Sequence, residues 1–164
     1  MSGIERVRVV VAAVVVMLSV VALGAQDADT KALQQFRLTT DGLHKMEAVA
    51  QALSTTLASD ASARKALEDA EDASSDNATL SDMAATFAKI PPVAAAIKAG
   101  GMTPREFAMF EMSMLQASMA AAMIKAGAVK SAPAEIAAEN VKFVQDHEAE
   151  ITRLAQQLQS GQQR

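Results

Sequence analysis

TPREFAMFEMSMLQASMAAAMIKAG, residues 103–127, decides the fold class. Thr103 is a capping residue, Pro104 suits the first helical position and Glu106 stands at the third, so the open backbone donors of a helix start are met twice over. The helix so begun runs to about Ala126, where Gly127 stops it. From Met112 to Ile124 there are 13 residues without a charge. Apolar side chains fall on nearly every side: Phe107, Phe110, Met114 and Ala121 mark one, and Met112, Leu115, Met119 and Met123 another. A helix that is apolar all round is surrounded by other helices. At 13 uncharged residues, the run falls short of the roughly 20 that cross a bilayer. The segment is expected to be a buried central helix.

The sequence on either side of it reads as helix too. Upstream, Asp29 to Ala58 carries Phe36, Leu43, Ala50 and Leu57 seven apart, with Met46 and Leu53 between them. That is an apolar stripe at helical spacing, with a weak point at Asp41-Gly42. Ala61 to Ala73 reads as a short polar helix, and Ser74 to Asn77 as a loop. Thr79-Leu80-Ser81-Asp82 resembles a capping box that opens a helix with Leu80, Met83 and Phe87 on one side. Pro91-Pro92 ends that helix, and Pro92 can also sit at the start of the next short piece, Val93 to Ala99, which Gly100-Gly101 closes. Downstream, Pro133 opens a last helix that extends to about Gln159, where Val144, Ile151 and Leu158 recur every seven residues beside Val141, Phe143 and Leu154. The expected architecture is all-α: a compact bundle of four to six helices, with long first and last helices and a buried central helix.

Composition agrees. Hydrophobic residues make up 51% of the 164, enough for a core, and the set is rich in alanine and methionine, both good helix formers. Valine runs are confined to the first 21 positions. There Arg6 and Arg8 precede an uncharged run from Val9 to Leu23, followed by Ala22-Leu23-Gly24, Ala25 and a polar Gln26-Asp27. A basic start, an apolar run of 15 and small residues before a polar stretch form the layout of a secretory signal peptide. An uncleaved anchor is the rival, and the run is short for a span. The organisation expected is therefore a signal peptide over 1–25, a single helical domain over 26–164, and a periplasmic or secreted location.

Several function classes recede on these grounds. The chain has no cysteine, which removes disulfides, thiolate zinc sites, c-type haem attachment and thiol nucleophiles together. Its net charge is −4, and removing the first 25 residues leaves 13 basic against 18 acidic side chains. An acidic surface without Trp or Tyr has neither the charge nor the stacking platforms for nucleic acid. Ser62-Ala63-Arg64-Lys65 spells the serine–lysine motif of penicillin-recognising enzymes, but its partner motifs are missing.

Two constellations remain. His44 with Glu47, and His147 with Glu150, each put an imidazole and a carboxylate three residues apart on one helix face. Were the first and last helices neighbours, the four side chains could converge on a metal ion, although carboxylate di-metal bundles use the reverse order, Glu-x-x-His. In the first-helix register His44 and Glu47 lie off the Leu43–Met46–Ala50 stripe, which favours the plainer reading of surface histidines. Six of the ten methionines crowd between Met102 and Met123. Thioethers bind copper(I), and a His–Met pair can hold haem, but methionine also fills irregular cores without a metal.

The leading expectation is a non-enzymatic envelope protein without a cofactor, binding a partner protein or a small apolar ligand through its helices. The loop Gly100-Gly101-Met102-Thr103, with a methionine that looks exposed, is the expected contact. A metal- or haem-binding bundle is the alternative.

Overall fold

The structure, a computed structural model, describes residues 26–73 and 78–161. The expected signal peptide and the Ser74–Asn77 loop therefore lie outside the described residues. Within them the chain is helical throughout, with eight helices and no strand. They are α1 (Gln26–Gln35), α2 (Thr40–Ser59), α3 (Ala61–Asp72), α4 (Leu80–Lys89), α5 (Pro91–Ala99), α6 (Pro104–Lys125), α7 (Ala138–Asp146) and α8 (Glu148–Gly161). That exceeds the four to six expected, because both of the long terminal helices are divided.

The first break falls at residues 36–39, upstream of the weak point suspected at Asp41-Gly42. Thr39 is extended and its hydroxyl accepts from the Gly42 amide at 3.1 Å, so α2 starts afresh with its own cap. Gly42 sits in that first turn for a packing reason: a Cβ there would come within 2.6 Å of the Phe110 ring. The backbone groups freed by the break are met from the far end of the chain. Asn140 accepts from Leu38 N at 2.9 Å and donates to Phe36 O at 3.0 Å. The last helix begins at Ala138, five residues after Pro133, and is interrupted at His147, which caps α7 before α8 continues.

Other boundaries follow the expected chemistry. Thr103 and Glu106 close a capping box on α6, and Thr79 and Asp82 do the same for α4. Pro91 and Pro92 do not merely end α4; they form the first turn of α5, where a missing N–H costs nothing. Between α5 and α6, Gly101 takes a left-handed conformation (φ 84°), Gly101 N donates to Lys98 O and Met102 N to Ile97 O. These two bonds are the Schellman pattern, which turns the residue after the glycine inward. Met102 is accordingly buried, contrary to its exposed look in the sequence.

The core gathers Leu43, Met46 and Val49 of α2, Val93 and Ile97 of α5, Phe107 and Phe110 of α6, Val141 and Val144 of α7, and Leu154 of α8. α6 is central, packing against α1, α2, α4, α5 and α7. Phe110 meets Phe36 edge-on at 6.3 Å, and Phe107 meets Phe87 at 5.3 Å. By length and composition α6 is also, among the described residues, the one helix apolar enough to cross a membrane; its inward side is occupied by other helices, as in a core helix.

Candidate functional site

α6 is not enclosed on all sides. Ser113, Ala117 and Ala120, spaced four and three apart, are buried, and these small residues mark the side where neighbouring helices approach. Away from that side the helix opens to solvent in its C-terminal half. Met119 and Met123, one turn apart, are 47% and 41% exposed, and they are the exposed large hydrophobic residues among those described. Met112 and Leu115, earlier on the same side, are half-buried. The outward face thus carries methionine, leucine and alanine where a surface helix ordinarily carries charge. The sequence placed all four side chains on one side of the helix but offered no polar face to show which side is outward.

Two depressions lie elsewhere. One, of about 480 Å³ and wide open, lies between α2 and α5 and is lined by small residues that include Ala52, Thr55, Ala95 and Ala99. The other, of about 200 Å³, has Phe36, Met102 and Phe110 in its floor and Arg37, Asp41, Lys45 and Glu106 about its rim. It includes Gly101 and Met102 of the loop expected as a contact, whereas Gly100 is packed beneath it against Val49. Of that loop, Gly101 and Thr103 are exposed and Gly100 and Met102 are buried. The charges around the second depression are engaged: Arg37 lies 3.8 Å from Glu139, outside the lining, and the others have local partners. Lys45 pairs with Asp41 at 2.7 Å, which raises the lysine pKa. The Thr103 amide and hydroxyl bonds to Glu106 hold that carboxyl below its ordinary value. At about 200 Å³ the space is smaller than the roughly 300–1,000 Å³ of ligand pockets.

The histidine pairs are placed as follows. α2 and α8 are neighbours, and Glu47 reaches across to Arg153 at 3.2 Å. His44 is exposed, off the buried Leu43–Met46–Val49 stripe. His147 Nδ1 lies 2.9 Å from Glu150 Oε2, and its ring packs on Phe143 with centroids 4.3 Å apart. Helix adjacency is therefore present, yet the four side chains do not assemble: among the described residues no three His, Asp or Glu side chains come together as a metal site. The methionines are likewise dispersed between core (Met46, Met102) and surface (Met119, Met123).

The serine–lysine motif has a structural explanation. Ser62 donates from its hydroxyl to Asp60 at 2.6 Å, and Asp60 also accepts from the Ser62 and Ala63 amides as the cap of α3. Lys65 is paired with Asp69 at 2.7 Å. In comparisons with known proteins, the chain matches no family model, no curated protein and no solved structure.

Proposed function

We propose that this chain is an exported, non-enzymatic helical protein of the cell envelope that binds a partner protein or a small apolar ligand through the outward face of α6. The observation that carries the reading is the exposed Met119–Met123 pair on a helix with no charge between Met112 and Ile124. Flexible thioether side chains adapt to differently shaped apolar partners, and apolar helix faces are a recurrent docking surface. Export is proposed from the basic start and the apolar run from Val9 to Leu23. The mature domain then begins close to Gln26, where α1 begins. The alternative of a metal- or haem-binding bundle using His44, Glu47, His147 and Glu150 is less favoured, since among the described residues no three His, Asp or Glu side chains come together to hold a metal ion.

The test uses protein recovered from the periplasm, whose intact mass gives its first residue. A first residue near 26 supports export with cleavage, and a full-length mass counts against it. The same protein is titrated with Nile red, alongside a Met119→Glu/Met123→Glu variant. Because both side chains stand outside the core, the variant retains its helical circular dichroism. Dye emission with the native protein is expected to drop about tenfold in the variant, equivalent to the apolar burial of one or two methionines. Equal emission from the two proteins would sink the contact-face reading.

A further inference from the structure

Methionine is the readily oxidised side chain of this protein, because the chain contains no cysteine, tryptophan or tyrosine. The structure grades these thioethers by access, with Met83, Met109, Met112 and Met114 intermediate between the two extremes. Met46 and Met102 are 3% and 7% exposed, whereas Met119 and Met123 are 47% and 41% exposed. The two accessible methionines occupy adjacent turns of one helix.

We propose that Met119 and Met123 form a reversible oxidation site, at which hydrogen peroxide turns the outward face of α6 from apolar to polar while the bundle stays folded. In the reaction a sulfur lone pair attacks one peroxide oxygen. The O–O bond breaks, its electron pair leaves with the second oxygen, and that oxygen departs as water once protonated. The thioether loses two electrons and becomes a sulfoxide; the peroxide gains them. In the reverse step two thiols of a methionine sulfoxide reductase supply the electrons, the oxygen leaves as water and the thiols become a disulfide.

The position of the pair decides the outcome. A sulfoxide in the core would place a polar, bulkier group among Leu43, Val49 and Ile97, whereas on the outward face it meets water. The change therefore makes the exposed side chains polar without disturbing the packing. Its consequence for binding rests on the reading of α6 as a contact face; the chemistry itself does not.

The experiment exposes the purified protein to graded hydrogen peroxide and maps sulfoxides by peptide mass. Circular dichroism and retention on a phenyl matrix are followed in parallel. Sulfoxide is expected at Met119 and Met123 about tenfold faster than at Met46 and Met102. Retention shortens as it forms, the helical signal and urea midpoint hold, and reductase treatment restores the original retention. Comparable rates at buried and exposed positions would overturn the proposal, as would loss of helix in step with modification at Met119 and Met123. A Met119→Leu/Met123→Leu variant keeps the apolar face and removes the sulfurs, so peroxide should leave its retention unchanged. A shift of native size in that variant would assign the polarity change to other residues and defeat the proposal. Failure of the unoxidised protein to bind Nile red would count against the contact face alone, since neither the order of oxidation nor the retention depends on that dye.

Discussion

Asn140 is a buried side chain that serves two backbone groups at once. Its carbonyl oxygen accepts from Leu38 N, its amide donates to Phe36 O, and the residue itself is 3% exposed. The partners belong to the segment between α1 and α2, where neither group has a helical neighbour to bond. Asn140→Ala removes both bonds and leaves the buried Leu38 amide unmet, while Phe36 O keeps its bond from the Arg37 guanidinium at 3.1 Å. The expected loss is about 2–4 kcal/mol of unfolding free energy, measured by urea denaturation. A loss below about 0.5 kcal/mol, the size of an ordinary surface change, would mean that the segment is held by other contacts. No sequence pattern announces this residue. Its partners stand 102 and 104 positions away, and an asparagine in a helix carries no mark of which distant carbonyl it will meet. The exposed methionines were hidden for another reason: an uncharged helix has no polar side from which outward can be read.

Among the elements, those with local chemistry at their ends were legible. The capping boxes at Thr103–Glu106 and Thr79–Asp82 lie where the sequence put them, as does the short helix after Asp60. Breaks imposed by distant packing were not: Phe36, at the break, continues the apolar spacing of α2, and the Asn140 bonds and the Thr39 cap mark where α2 parts from α1. The junction of α2 with α5 depends on a single missing side chain. A Cβ on Gly100 would stand 2.5 Å from Val49 N and 2.7 Å from Val49 Cα, so backbone would have to move to admit it. Gly100→Ala is expected to cost about 1–3 kcal/mol by overpacking, even though alanine is the better helix residue. Gly127→Ala makes the comparison informative. Gly127 is left-handed (φ 71°) with nothing within 4 Å of a Cβ, so strain acts there without a clash. If Gly100→Ala proved no worse than a neutral substitution, the two helices would have to be free to part without loss.

On the scale of the whole molecule, the all-helical class was readable from composition and periodicity, while the way the described helices gather around one core was not. Heptad-spaced apolar residues specify that a helix has an inward side, and they leave open which neighbour receives it. Three of the helices, α3, α4 and α6, share a way of starting. Asp60, Asp82 and Glu106 each accept hydrogen bonds at the start of a separate helix, and each has its pKa lowered. For Asp60 the first cause is the Ser62 hydroxyl, for Asp82 the Thr79 amide, and for Glu106 the Thr103 amide. Their ordinary values are 3.8, 3.8 and 4.5. A carboxyl whose folded pKa is depressed stabilises the fold above its unfolded value, and that contribution disappears as pH falls through the folded one. The thermal midpoint is therefore expected to stay level from neutrality to about pH 5 and to fall below about pH 4 as the starts of α3, α4 and α6 are protonated together. Asp82 and Glu106 are exposed and Asp60 is partly so, so each contributes modestly and the slope comes from their sum. An Asp60→Asn/Asp82→Asn/Glu106→Gln protein retains groups able to accept these bonds but has no charge to lose, so its acid limb should be shallower than the native one. An acid limb of native steepness in that protein would move the origin of acid unfolding away from the helix starts, to ion pairs such as Lys45–Asp41 and Lys142–Asp146.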